Sequence, residues 1–380
     1  EHARGASGRF SPGGPRISDG QMLFLLHMLD HMKDAGEGGS RVAIIMNGSP
    51  LFTGDAGSSE SEIRRWIIEN DWLEALIALP EQLFYNTGIA TYIWVLTNRK
   101  RPERKGKVLL IDATSFWAPM RKSLGDKRRE IPREKAQEVL ALLRQFQDGE
   151  HTRVYPTTHF GLRKITVERP LRLNFQAIPE RIARLGDEAG FRNLAVSKKK
   201  GPAKAKEEAD GRKLQVVVLS FLNGLPGDLF KDRGEFEGLL DEAAKKAGLK
   251  LAAPVRKAIL AALSERDESA AICHDKEGTP EPDPDLRDTE SVPLNENVEP
   301  FFEREVRPHV PDAWIDPEKR DEKDGQVGIV GYEINFNRYF YKYMPPRPVE
   351  EIEAEIREVE KDIMHMLSEM TGNSSNGGEA

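Results

Sequence analysis

The sequence predicts an α/β protein, with a sheet of short buried strands alternating with helices and a mainly helical region after it. Three observations carry this. Asn70 to Ala113 reads as strand, aromatic-tipped turn, strand, basic loop, strand. Arg41 to Met46 (RVAIIM) is another short apolar run with a helix signal behind it. Helical segments are then expected at about Asp228 to Ala247, Pro254 to Glu265 and Ile352 to Met370. The run from Leu73 stops at Pro80, and Ile89 to Leu96 is rich in β-branched and aromatic residues, as in strands buried on both faces. The link between them must face a cleft or solvent, which places Phe84, Tyr85 and Asn86 at the sheet rim.

Along the chain, Glu1 to Ile17 has Gly, Ser, Pro and Arg without a period and is expected as loop. Ser18 to Gln21 has the S-x-x-Q capping-box form, and Met22, Leu25, Leu26, Leu29 and Met32 give the helix that follows one apolar face, ended by Gly36, Gly38 and Gly39. Asn47-Gly48-Ser49-Pro50 turns out of the RVAIIM strand, and a second capping box, Ser59 to Glu62, opens the next helix, making one β-α-β step. Pro132 stands at the first position of a helix to Gln147, with Ala136, Val139, Leu140, Leu143 and Phe146 on one side. Phe191 to Lys213, with Lys198, Lys199, Lys200, Lys204 and Lys206 among Gly, Pro and Ala, reads as a flexible linker or insertion tip. Ala271 to Pro284 suggests a hairpin kept short by Pro280, Pro282 and Pro284. In the last helix Ile352, Ile356, Val359, Ile363, Met366 and Met370 recur at spacings of 4, 3, 4, 3 and 4, a narrow heptad seam that wants a partner helix.

Composition narrows the class. At 380 residues and 38% apolar content, two or three domains with real cores are expected. A single Cys273 and no apolar run near eighteen residues point to a reducing cytoplasm and away from a membrane span. The net charge of −7 argues against a nucleic-acid partner, but the charge is uneven: Arg99 to Arg133 holds twelve basic residues against four acidic ones. His27 and His31, four apart, lack the H-E-x-x-H form, and Cys273-His274-Asp275 has no second Cys, so no metal site is expected.

The block from Asn47 to Ala113, with GKVLLIDATSFW (Gly106 to Trp117), KSLGDKRREI (Lys122 to Ile131) and KITVERPLR (Lys164 to Arg172), resembles the later half of the catalytic domain in the M subunit of type I restriction-modification systems. The resemblance resumes in LRDTESVPL (Leu286 to Leu294), REVRPHVPDAWID (Arg304 to Asp316) and GYEINFNRYFYKYMPPRPVEEI (Gly331 to Ile352), and is weak over about Lys198 to Asp275. It implies the C-terminal half of a class I, Rossmann-like methyltransferase sheet, and an intact protein that methylates adenine N6 in DNA with S-adenosylmethionine. Two parts of the family pattern are absent: the strand-Gly-x-Gly turn where backbone approaches the cofactor, and the Asn/Asp-Pro-Pro-aromatic tetrapeptide, since the only Pro-Pro, Pro345-Pro346, lies between Met344 and Arg347. A C-terminal piece, inactive alone and binding no cofactor alone, is therefore expected. Its divisions are a flexible lead (1–17), catalytic-domain part (18–175), helix and basic linker (176–214), mixed, mainly helical region (215–345), assembly helix (346–370) and disordered tail (371–380). The rival readings are a binding-only module for subunit assembly and DNA backbone, and part of a stand-alone adenine-N6 methyltransferase.

By this resemblance Phe84 is favoured to stack on an extruded target base, with Tyr85 second; the alternative is that Phe84 plugs the sheet end as core. Asn47 and Ser49 are candidates for the cofactor or adenine rim, although Asn-Gly is equally a turn former and the turn-only reading is favoured. Arg99, Lys100, Arg101, Arg104, Lys105, Lys107, Arg121, Lys122, Lys127, Arg128 and Arg129 are candidate DNA-backbone contacts, against a simply solvated surface. The heptad seam, with Tyr339, Phe340, Tyr341, Tyr343 and Arg347 leading into it, would dock on the specificity (S) subunit, and through it on a second M subunit and the restriction (R) subunit.

Overall fold

Strand-forming runs of the N-terminal region assemble first into a five-stranded sheet. The computed structural model describes residues 8–14, 16–343 and 345–372; the expectations for residues 1–7 and for the tail from 373 lie outside them. Strands β1 (Arg41–Asn47), β2 (Leu73–Ala78), β3 (Thr91–Thr97) and β4 (Lys107–Asp112) alternate with helices α1 (Gln21–Asp30), α2 (Ser49–Phe52) and α3 (Ser59–Glu69). A separate two-stranded hairpin, β5 (Ala118–Leu124) and β6 (Lys127–Glu130), precedes α4 (Arg133–Gln145), and β7 (Thr152–Pro156) completes the sheet in the order β1-β3-β2-β4-β7. The β-α-β step is thus corrected in one respect: β1 and β2 run the same way, but β3 lies between them, antiparallel to both. In this sheet only β2 and β4 are parallel neighbours.

Capping differs from the sequence reading by a residue or two. Gly20, not Ser18, is the N-cap of α1, and the Asp19 carboxylate accepts from the Gln21 backbone N–H at 3.1 Å. In α3 the cap is Ser58, whose side chain accepts from the Ser61 N–H, and α1 ends at Asp30, ahead of the glycines. Met22, Leu25, Leu26 and Leu29 pack with α3 and one sheet face in one core, while Ala75, Ile77, Val95, Leu109 and Ile111 form a second core under α4. Leu140, predicted on the buried side of α4, is 48% exposed.

Beyond the sheet, β8 (Gly161–Glu168) and β9 (Leu173–Phe175) lead into helices α5 (Pro179–Ala183), α6 (Ala189–Arg192), α7 (Pro202–Asn223), α8 (Arg233–Lys246) and α9 (Ala253–Leu263). These helices share a core around Phe175, Phe236 and Ile259. The expected basic linker is therefore corrected: from Pro202 it is the 22-residue helix α7, whose Val218 and Leu222 are buried. β10 (Ser264–Arg266) pairs with β9, and the predicted hairpin turns at Asp275–Thr279. β11 (Asp288–Pro293) flanks β8 on one side, and β12 (Trp314–Ile315) and β13 (Ile329–Tyr332) flank it on the other, with α10 (Val298–Glu305) over them.

The chain then returns to where it began. Val330, Tyr332, Ile334 and Phe336, the last in α11 (Phe336–Phe340), belong to the first core, so the division at 175 does not separate two independent cores. The fully buried Arg64 donates to the Tyr332 carbonyl and to those of Pro50, Thr53 and Gly54, and Arg65 pairs bidentately with Asp321 at 2.7 and 3.1 Å. Burial alone would raise the Asp321 carboxyl, but bonds from Arg65 and from the Val330 and Lys323 N–H groups hold it at about 2. The last helix, α12 (Val349–Gly372), has its seam in solvent: Ile352, Ile356, Val359, Ile363 and Met366 are 42% to 56% exposed, and the Met370 side chain lies outside the described residues. Among the described residues no helix is long and apolar enough to cross a membrane.

Candidate nucleic-acid interface

Strand direction decides which predicted site residues can meet. Asn47 pairs with Thr91, and Ala78 pairs with Tyr92 and Asp112, so Asn47, the 80–90 turn and the segment after β4 share one end of the sheet. Arg41, Thr97 and Lys107 lie at the other end. Six strand residues at about 3.3 Å each put the two ends about 20 Å apart. The basic stretch Arg99 to Arg133 is therefore not one patch but two.

At the far end, the 99–107 loop spends two of its six cations, Lys100 and Arg104, on carboxylates of the protein itself. Lys100 is 7% exposed, with Nζ 2.5 Å from Asp71 and donating to the Lys107 carbonyl; burial pulls its ammonium below the usual lysine range despite Asp71. Arg104, also buried, donates to Glu74 at 3.0 Å and to the Arg144 carbonyl at 2.8 Å, with its guanidinium 4.7 Å from the Phe146 ring centre. Its partner Glu74 is fully buried on β2, and Arg41 approaches the other carboxylate oxygen at 2.7 Å. Lys100 and Arg104 are thus sequestered from any phosphate. Arg99 donates to the Gly38 carbonyl from an exposed position, and Arg101, Lys105 and Lys107 are exposed beside it.

The near end is built differently. The hairpin places Arg121, Lys122, Lys127, Arg128 and Arg129 on an arm whose acidic residues number two, Asp126 and Glu130, and among the described residues none of the five cations is in an ion pair with a carboxylate. Arg121, Lys122 and Arg128 are exposed. Leu124 and Lys127 pair across Gly125-Asp126, and positive φ at Gly125 alone fits a two-residue II′ turn. Lys127 lies 5.2 Å from the Tyr85 ring centre and Arg129 4.1 Å from that of Trp117, cation–π contacts that carry charge up to the aromatic turn. Tyr85 is 63% exposed, whereas Phe84 is half-buried, so Tyr85 is the ring that faces solvent.

Asn47 and Ser49 form a closed local network. The Asn47 carboxamide oxygen accepts from the Ser49 N–H and hydroxyl, Asp19 accepts from the same hydroxyl, and Gln21 Oε1 accepts from the Asn47 N–H. This is Asx-turn chemistry. The Asn47 carboxamide oxygen and the Ser49 hydroxyl are thereby spent on local bonds, and these two groups do not by themselves form a site for S-adenosylmethionine. His27 on α1 and His31, just past its end, have ring centres 4.4 Å apart at a tilt of 57°.

Residues 3–156 match the family model described as N-6 DNA Methylase. The match covers 154 of the 380 residues, all in the N-terminal part of the chain. Over 154 residues the chain is 29% identical to the "Type I restriction enzyme MjaIX methylase subunit" of Methanocaldococcus jannaschii, covering 37% of this chain and 26% of that one. It is 39% identical over 106 residues to the HindI methylase subunit of Haemophilus influenzae, covering 28% and 22%. A crystal structure of a type I restriction-modification methyltransferase subunit from Streptococcus thermophilus aligns at 25% identity with a TM-score of 0.35, over 40% of this chain and 31% of that one. The chain spans about a quarter of the length of the curated relatives it matches. The segment similar to that model holds the whole five-stranded sheet, the aromatic turn and the basic hairpin.

Sequence reasoning gave the aromatic turn and the cations but missed Gly125, Trp117 and the two-residue loop that organises them. The Gly-Asp dipeptide between Leu124 and Lys127 is a hairpin signal that could have found the loop.

Proposed function

We propose that this chain is the later part of a type I modification subunit and contributes to an intact enzyme that methylates adenine N6 in DNA. The observation that carries the proposal is the pairing of a solvent-facing Tyr85 with five un-neutralised cations on the hairpin beside it, inside the N-6 DNA methylase segment. Phosphate contacts come from Arg121, Lys122 and Arg128, and the Tyr85 ring is the surface on which an unstacked base rests. Phe84 is half-buried and bridges through its backbone to Thr87 within the turn. When bound to the intact protein, S-adenosylmethionine supplies the methyl group; this chain's residues bind and orient DNA. Strand β1 lies at the sheet edge, where an upstream strand of a larger methyltransferase sheet would pair. In the intact protein, Tyr85→Ala is expected to lower adenine methylation while leaving duplex binding in place; wild-type methylation by a folded variant would overturn the role of Tyr85. Titration of S-adenosylmethionine into this chain alone is expected to give no heat of binding, and saturable micromolar binding, about −8 kcal/mol, would overturn the incomplete pocket.

The exposed seam of α12 favours an assembly role beside DNA contact. Its partner is proposed to be a specificity subunit, which would bridge to a second modification subunit and a restriction subunit. Ile356→Asp with Ile363→Asp should abolish co-purification with that subunit and leave this chain's melting temperature unchanged. A surviving complex would place the helix elsewhere.

A further inference from the structure

The hairpin touches the aromatic turn through backbone, and this is where the 82–88 segment is most strained. Gln82 holds φ of 61°, a left-handed conformation unfavourable for a side chain of its kind. Its N–H donates to the Gly88 carbonyl, closing the turn, and its own carbonyl accepts two bonds from the hairpin, from the Arg128 and Arg129 N–H groups at 3.0 and 3.2 Å. One residue past Phe84, the Tyr85 carbonyl accepts from the Asp126 N–H at 3.1 Å. The tip fits because residue 125 is glycine. Its φ is +61°, and a Cβ there would stand 2.5 Å from the Tyr85 carbonyl oxygen, a backbone atom that cannot swing aside.

The geometry points to Gly125 as a positioning residue. Its absent side chain lets the hairpin tip seat on the Tyr85 carbonyl, so the hairpin holds the strained turn and fixes Tyr85 beside the phosphate-binding cations. The two elements act as one unit, in which the backbone contact of Arg121, Lys122 and Arg128 sets the place of the neighbouring unpaired base. This inference rests on the proposed DNA reading, which it deepens by naming an unpaired nucleotide next to a held phosphate as the ligand of the unit. A solvated hairpin that merely lay near the turn would not need three main-chain bonds into it, two of them converging on the carbonyl of the residue with positive φ.

The test uses the full 380-residue chain, a single-stranded oligonucleotide carrying 2-aminopurine, and an unlabelled duplex. Wild type is expected to quench 2-aminopurine fluorescence, and Tyr85→Ala to lose that quenching. Gly125→Val keeps every cation and every aromatic ring, yet it is expected to lose quenching as Tyr85→Ala does, with affinity for the 2-aminopurine strand falling roughly five- to hundredfold, the range of a single base stack. Its duplex affinity and salt slope should stay within about twofold of wild type, because the phosphate contacts remain. Quenching by Gly125→Val equal to wild type would overturn the positioning role while leaving the DNA reading standing. Failure of wild type to bind either oligonucleotide would instead overturn the DNA reading. Amide hydrogen exchange judges the pinning without DNA: the Asp126, Arg128 and Arg129 N–H groups should be protected in wild type and exchange faster in Gly125→Val. Unprotected amides in wild type would overturn the inference whatever the binding data.

Discussion

The 99–107 loop and the 118–130 hairpin are both dense in Lys and Arg, yet among the described residues only the loop ties any of its cations to carboxylates. In the loop, Lys100 and Arg104 are buried against Asp71 and Glu74 and lock the base of the sheet; in the hairpin, Arg121, Lys122 and Arg128 project into solvent beside Tyr85. Charge density in sequence therefore does not distinguish a buried, ion-paired cation from one exposed to solvent. The difference lies in whether a carboxylate waits on a neighbouring element, and the carboxylates that wait here, Asp71 and Glu74, stand just before and on β2, well upstream of the loop in sequence.

The largest effect should come from breaking the structural side of this contrast. Arg104→Met leaves the Glu74 carboxylate buried on β2 with only the half-exposed Arg41 beside it, and removing one partner of a buried pair costs about 3 to 5 kcal/mol. The urea midpoint should fall accordingly. A midpoint unchanged from wild type would mean that Arg104 is as free as the hairpin cations.

A second, smaller loss should appear on acidification. The Asp321 carboxyl is held at about 2 by Arg65 and backbone donors, below its unfolded value of about 3.9. Its contribution is therefore complete above about pH 4 and lost as pH falls towards about 2, on the order of 2 kcal/mol for a shift of this size. Asp321→Asn should flatten stability against pH across that window, and an equally steep acid limb in the variant would assign the loss to other carboxylates.

For the near end, Tyr85→Ala should cost about 1 to 3 kcal/mol in binding an unpaired base, and Phe84→Ala less. The reverse order, with the fold intact, would restore Phe84 as the stacking ring.

Much of this was legible in the sequence. Continuous apolar runs gave β2, β3 and β4, and the heptad spacing gave α12, because both signals are local. The insertion of β3 between β1 and β2 was not legible, since strand pairing is a long-range choice that no run of residues records. Glu74 was hidden for a related reason: one acidic residue inside LEALIA looks like an exposed strand position until Arg41 and Arg104 are seen to converge on it. The basic stretch misled because β4 intervenes and carries the chain to the other end of the sheet. The linker reading of the lysine-rich segment failed because composition records solvation and not the register of Val218 and Leu222, which dock α7 on its neighbours.

The central claim, that the hairpin and not the loop meets DNA, is tested most directly by the salt dependence of duplex binding in two charge-reversed variants of this chain. Reversing Arg121, Lys122 and Arg128 to Glu should weaken binding to all sequences and reduce the log-log salt slope by roughly 0.9 for each phosphate that is no longer neutralised, while reversing the exposed loop residues Arg101 and Lys105 should leave the slope near wild type. A slope that falls with the loop variant and holds with the hairpin variant would contradict the account.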